Sequence, residues 1–258
     1  MQAWAFVERY LLVVRRYFGW EMVFLVYTCV NTLTIAFIGV ASGDPRRVLF
    51  LAIGAVLWSF LALIFQEVSD VITWERWEGT LEYTFMAPMK RITHLFGMCL
   101  GAVIYGIVRT LVVLGIASMM LHISLRGANV GAAVAVLVIS SLSFIGLGLL
   151  VGVLPLLCQE KGSQATHIFQ AGILLVSGIY YDVSVLPHWM QDISVLTPAT
   201  YTLSAMRAAV LEGAPITRLL PQLAMLLVMG AVLIPAGLLV FGAGERWALR
   251  HGLLSRNG

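Results

Sequence analysis

Charged residues are missing from long stretches of this chain, and the gaps between them lay out its elements. Uncharged apolar windows cover 22–42, between Glu21 and Asp44, and about 47–66, after the turn from Ser42 to Arg47. Further windows run over about 93–121, interrupted by Arg109, and about 129–156. A shorter one lies near 164–181, and the last, about 219–241, contains Pro221 and Pro235. About 20 apolar residues cross a bilayer as a helix, and prolines are tolerated there. The pattern predicts six membrane spans with both termini on one side.

Two stretches between or before the windows have patterns of their own. Trp4, Val7, Leu11, Val14 and Phe18 recur at helical spacing, with Arg9, Arg15 and Arg16 on other faces. This predicts an amphipathic helix over 1–21, lying in the membrane interface. With Glu8 and three arginines and no continuous apolar core, it is not a secretory signal. Residues 182–212 are too apolar for a solvated loop and too broken by Pro187 and Pro198 to span. Each proline can open a short helix, and Leu203, Met206 and Val210 keep helical spacing after the second. The segment reads as two re-entrant helices dipping into the outer leaflet under the protection of protein.

Composition makes lipid the solvent. Hydrophobic residues make up 60% and charged ones 11%, against roughly 45–50% and about 25% in a soluble domain. The 258 residues leave no room for a large soluble unit, so 1–258 reads as a single all-α membrane domain. Of the basic residues, Arg9, Arg15, Arg16, Arg76, Lys90, Arg91, Lys161, Arg246, Arg250 and Arg256 fall on the side of the termini. Arg46, Arg47, Arg126, Arg207 and Arg218 fall on the other. The excess places both termini in the cytoplasm. Cys29, Cys99 and Cys158 sit in apolar runs without metal-ligand spacing and read as small buried residues.

Charge is concentrated in one place. Residues 72–91, ITWERWEGTLEYTFMAPMKR, hold six charged side chains in twenty positions. Trp74, Trp77, Leu81 and Phe85 form one helical stripe and Glu75, Glu78 and Glu82 a second, which predicts a helix lying flat at the cytoplasmic surface. An acidic row is a poor match for anionic lipid and suits a protein partner. Catalytic signatures are missing. The two lysines, Lys90 and Lys161, precede Arg91 and Gly162, so neither belongs to a P-loop. The histidines, His94, His122, His167, His188 and His251, have no ligand spacing. Neither catalysis nor a bound metal or cofactor is expected of this chain.

The charged stretch resembles the first cytoplasmic loop of ABC-2 type transporter permeases. The match falls on Glu75, Arg76, Gly79, Thr80, Leu81, Glu82, Pro88 and Arg91, with Trp77 a departure from the usual charged or small residue. A second stretch, LPHWMQDISVLTPATYTLSAMRAAVLEG, resembles the segment before the last span of that family at Leu186, Pro187, Trp189, Pro198, Arg207 and Gly213. The resemblance implies a dimer with a second copy or a related permease, and one ATP-hydrolysing subunit per chain. ATP and magnesium would be held by that partner, and nucleic acid is not an expected partner. It implies a coupling helix at 70–87, with Glu75, Arg76, Glu78, Gly79, Thr80 and Glu82 at the ATPase. A second contact would fall in 157–167, at Glu160 and Lys161, and the amphipathic start would be the connecting helix.

The resulting expectation is the permease subunit of an ATP-driven exporter of a drug, lipid or glycan in a bacterial or archaeal cytoplasmic membrane. The alternative is a secondary transporter or channel, which would want several intramembrane charges, whereas this chain offers mainly Arg109. A charge at mid-span must face protein or a wet cavity. Arg109 is therefore read either as a structural residue, satisfied by helix carbonyls, Asn31, Ser140 or Ser141, or as part of a substrate path shared with Asn31.

Overall fold

In the computed structural model the residues described are 2–78, 91–121, 127–157 and 162–251, and all secondary structure among them is helical. In chain order the helices are α1 (Gln2–Arg16), α2 (Phe18–Ala41), α3 (Pro45–Glu78), α4 (Arg91–Met120) and α5 (Val130–Val151). They continue with α6 (Val153–Leu157), α7 (Gly162–Val176), a 3-10 turn (Val183–Val185), α8 (His188–Val195), α9 (Pro198–Leu211) and α10 (Ile216–Arg250).

Helix boundaries follow local chemistry. α2 closes at Gly43, whose φ of 70° only glycine adopts without strain. Asp44 then accepts the Arg46 amide at 2.9 Å, and Pro45 opens α3 at its first position. Asn129 caps α5 by accepting the Ala132 amide at 3.0 Å. Pro198 begins α9 as expected, whereas Pro187 caps α8 from the position just before it.

Five helices among the described residues are long and apolar enough to cross a membrane: α2, α3, α4, α10, and α5 together with α6. The expected window 164–181 differs. It forms the 15-residue α7, about 22 Å long at 1.5 Å per residue, short of a hydrocarbon core of about 30 Å. The reason is Gly178, at φ 67°, which turns the chain away two residues after the helix ends. The expected start is also divided differently. α1 ends at Arg16, and α2 begins at Phe18 rather than at residue 22.

The core lies where α3, α5, α9 and α10 meet. Phe65, Leu61, Phe144, Leu137, Leu203 and Leu219 are all essentially inaccessible. The expected α9 face is the buried one, with Leu203, Met206 and Val210 all inside. Close packing of α5 and α6 on α10 rests on glycines seven apart, Gly230, Gly237 and Gly244. A methyl at Gly237 would stand 2.8 Å from the Gly146 carbonyl, and one at Gly244 2.0 Å from Val153. Small residues at such a seam let backbones approach. Ser143 adds a buried bond to the Leu226 carbonyl at 2.7 Å. By contrast α2 lies at the edge, with 22% of its most apolar window buried against 61% for α3 and for α5.

Candidate functional site

α3 is too long for a bilayer. Its 34 residues extend about 51 Å, so it continues well past the membrane at one end, and α4, with 30 residues, does likewise. Between them lies the charged motif. Residues 70–78 prolong α3 without a break instead of starting a separate flat helix, because nothing between Glu67 and Glu78 is glycine or proline. The backbone places Glu75, Arg76 and Glu78 on the last turn of α3, beyond the exposed Trp74. Gly79, Thr80 and Glu82, the remainder of the expected coupling helix, lie outside the described residues. So do Glu160 and Lys161.

The base of this arm is braced by polar contacts reaching across four helices. α1 packs on α4, with the Phe6 ring 4.7 Å from that of His94. Gly101 leaves room for Tyr10, since a methyl there would stand 2.8 Å from the Tyr10 side chain. The Tyr10 hydroxyl lies beside the Glu67 carboxyl of α3. Burial, reinforced by the carboxylates Glu67 and Glu21, raises the Tyr10 phenol above its ordinary value and keeps it a donor. One layer further, the Tyr105 hydroxyl of α4 donates to the Glu21 carboxylate of α2.

Arg109 completes this ladder. Its guanidinium donates to the Phe24 carbonyl at 2.8 Å and to the Thr28 hydroxyl, and it lies near the Tyr105 hydroxyl. Asn31 is exposed further along α2 and is not one of these partners. Ser140 and Ser141 bond carbonyls of their own helix, at Leu137 and Val138. Beside Arg109 is a cavity of about 10 Å³ lined in part by Thr28, Ser59, Gly106 and Thr110. That is room for about one water.

Two further polar constellations were not anticipated from the pattern. Between α3 and α7, the Gln66 amide contacts the Gln170 side-chain oxygen and His167 Nδ1, each at 2.6 Å. The Ser69 and Thr166 hydroxyls meet at 3.1 Å. The available signal was the recurrence of Gln164, His167 and Gln170 every three residues in an otherwise apolar window. On the opposite side of the molecule Arg207 of α9 donates to the Ile179 carbonyl at 2.8 Å and to that of Gly178 at 3.3 Å. Its guanidinium also lies 3.3 Å over the Phe50 ring. Burial lowers its pKa to about 10, opposed by Asp182, so it stays charged at neutral pH. Trp189 of α8 points outward, 63% exposed.

The family description "ABC-2 type transporter" matches residues 1–211. The chain belongs to that family. The match takes in α1, the long α3–α4 arm and the α8–α9 pair. The chain is also similar to the linearmycin resistance permease protein LnrN of Bacillus subtilis (strain 168), with 29% identity over 117 residues. That alignment covers 44% of this chain and 30% of the relative.

Proposed function

We propose that this ABC-2 family chain is the membrane subunit of an exporter driven by separate ATPases. The observation that carries the reading is the arm: α3 and α4 overrun the bilayer, converge on the motif at 75–91, and are braced at their base by Tyr10, Glu67, Tyr105 and Glu21. A push at the tip would travel along continuous helices into the span layer instead of dissipating in a loop. In this reading Glu75, Arg76, Glu78, Gly79, Thr80 and Glu82 seat the ATPase, and Glu160 and Lys161 make the second contact. The partner holds ATP and magnesium. Two such chains, identical or related, pair around the path. Both termini face the cytoplasm of a bacterial or archaeal cell, with α7 and the turn after it completing a sixth crossing, and α8 and α9 enter the outer leaflet. The relative named as a linearmycin resistance permease supports a drug, among the expected drug, lipid or glycan cargoes. Arg109 ties α4 to α2 and transmits the movement, without touching cargo.

The test is assembly followed by coupling. Affinity purification of the chain from its host membrane is expected to bring down a P-loop ATPase. Reversing Glu78 and Glu82 to lysine is expected to release that subunit, or to leave its hydrolysis uncoupled from export, with membrane insertion unchanged. Normal assembly and normal export in the doubly reversed protein would refute the assignment of the arm.

A further inference from the structure

α1 has two working faces, and the bracing of the arm uses one. Val7 is fully buried, and Phe6 and Tyr10 pack against α4 beside it. The opposite face is an open surface made by Ala5, Glu8, Arg9, Leu12, Val13 and Arg16 of α1 itself. Arg9 and Arg16 are two helical turns apart on it, about 10 Å. Leu12, 56% exposed, and Val13, 47% exposed, lie between them. The expected interfacial stripe is thus divided: Val7 turns inward, while Trp4 and Leu11 remain exposed.

From this face we infer a binding site for an anionic phospholipid, with the phosphate held by Arg9 and Arg16 and the upper acyl chain on Leu12 and Val13. Guanidinium beside exposed aliphatic surface matches a headgroup phosphate beside its chains. Charge complementarity favours an anion, since α1 carries Arg9, Arg15 and Arg16 against Glu8 alone. Continuity favours lipid over a protein partner. The exposed apolar surface of α1 runs through Tyr17, Phe18 and Trp20 into the exposed side of α2, which is a membrane span. Arg16 over the Tyr17 ring at 5.9 Å joins the two surfaces. The consequence reaches the arm, because Tyr10 on the inner face of the same helix lies beside Glu67 of α3. A lipid that fixes α1 fixes the base of α3.

This inference rests on the orientation proposed above, with α1 at the cytoplasmic leaflet, but its lipid readout needs no ATPase. The purified full chain, with its cysteines replaced and a bimane fluorophore on Ala5→Cys, is placed in phosphatidylcholine nanodiscs. Spin-labelled phosphatidylglycerol is expected to quench the label at lower mole fraction than spin-labelled phosphatidylcholine. Arg9→Gln and Arg16→Gln are each expected to reduce that preference about fivefold, and Arg9→Lys with Arg16→Lys to retain most of it. In about 1 M salt, where the screening length is about 3 Å, the preference is expected to shrink in the unmodified protein, a check independent of any substitution. Equal quenching by the two lipids overturns the inference, as does a preference that survives both glutamine changes. Protection of the label only on adding an ATPase subunit would assign the face to protein and overturn it as well.

Discussion

Two arginines sit among apolar helices in this chain, and they are held in opposite ways. Arg207 bonds the carbonyls of Gly178 and Ile179, which lie in the irregular turn after α7. Carbonyls at a helix end lack intrahelical donors, so Arg207 supplies what the backbone there cannot find for itself. Arg109 instead bonds the Phe24 carbonyl inside a continuous helix, and that carbonyl already accepts the Thr28 hydroxyl at 2.8 Å. One arginine completes the fold. The other is an additional tie between two helices that are complete without it. The same residue type, at similar sequence-level cost in a membrane, is therefore structural in one place and available for signalling in the other.

The sharpest break in this comparison is Arg207→Met. It removes two charged hydrogen bonds and a ring contact and leaves the turn carbonyls unpaired, at about 1.5–3 kcal/mol per charged bond. The variant is expected to lose most of its folded yield in detergent and to unfold at clearly lower temperature. Lysine is not expected to rescue it, since one ammonium cannot reproduce the fork over Phe50. Wild-type thermal stability in Arg207→Met would show that the turn has other support.

These roles differ in how far they could be read from the chain. Windows free of charge located three of the five long helices to within a few residues, because lipid allows few alternatives to a helix, while α10 runs nine residues past its window, to Arg250. α3 was cut short in that reading, since charge was taken as the end of the helix. Helical propensity from Glu67 to Glu78 continued it regardless. The window 164–181 runs five residues past α7 for the converse reason: it is apolar enough, but Gly178 takes a left-handed conformation that hydropathy does not register. Arg207 was legible as a position in a motif but not as a clamp, because its partners are backbone carbonyls of a distant segment. The ladder of Tyr10, Glu67, Glu21 and Tyr105 was invisible, as each member comes from a different helix.

A smaller effect is expected at Gly54, which tests the same turn from the side of α3. A methyl there would stand 2.3 Å from the Ile179 carbonyl and 3.5 Å from the Arg207 guanidinium. Backbone cannot yield as a side-chain tip can, so Gly54→Ala is expected to cost about 1–3 kcal/mol, read as a fall in melting temperature. Its effect should be less than additive with Arg207→Met, because the two changes disturb one contact. Full additivity would separate the glycine from the clamp.

The smallest change in stability, and the most informative about function, is expected from Arg109→Met. Phe24 keeps its helical partner and Thr28 still bonds back to Phe24, so few groups are stranded. The substitution also relieves the cost of a charge at mid-span, about 2.5–3.5 kcal/mol on insertion scales. The Tyr105 and Glu21 pair does lose its cationic neighbour, which offsets part of that gain. Net stability should therefore shift by about 1 kcal/mol or less in either direction. Coupling should not be spared, since the tie from α4 to α2 is gone while the arm and its proposed ATPase seat remain. The expected signature is ATP hydrolysis that proceeds without matching export in reconstituted vesicles, with cargo affinity unchanged. A loss of cargo affinity alone would place Arg109 on the substrate path, and a collapse in stability matching that of Arg207→Met would erase the distinction between the two arginines.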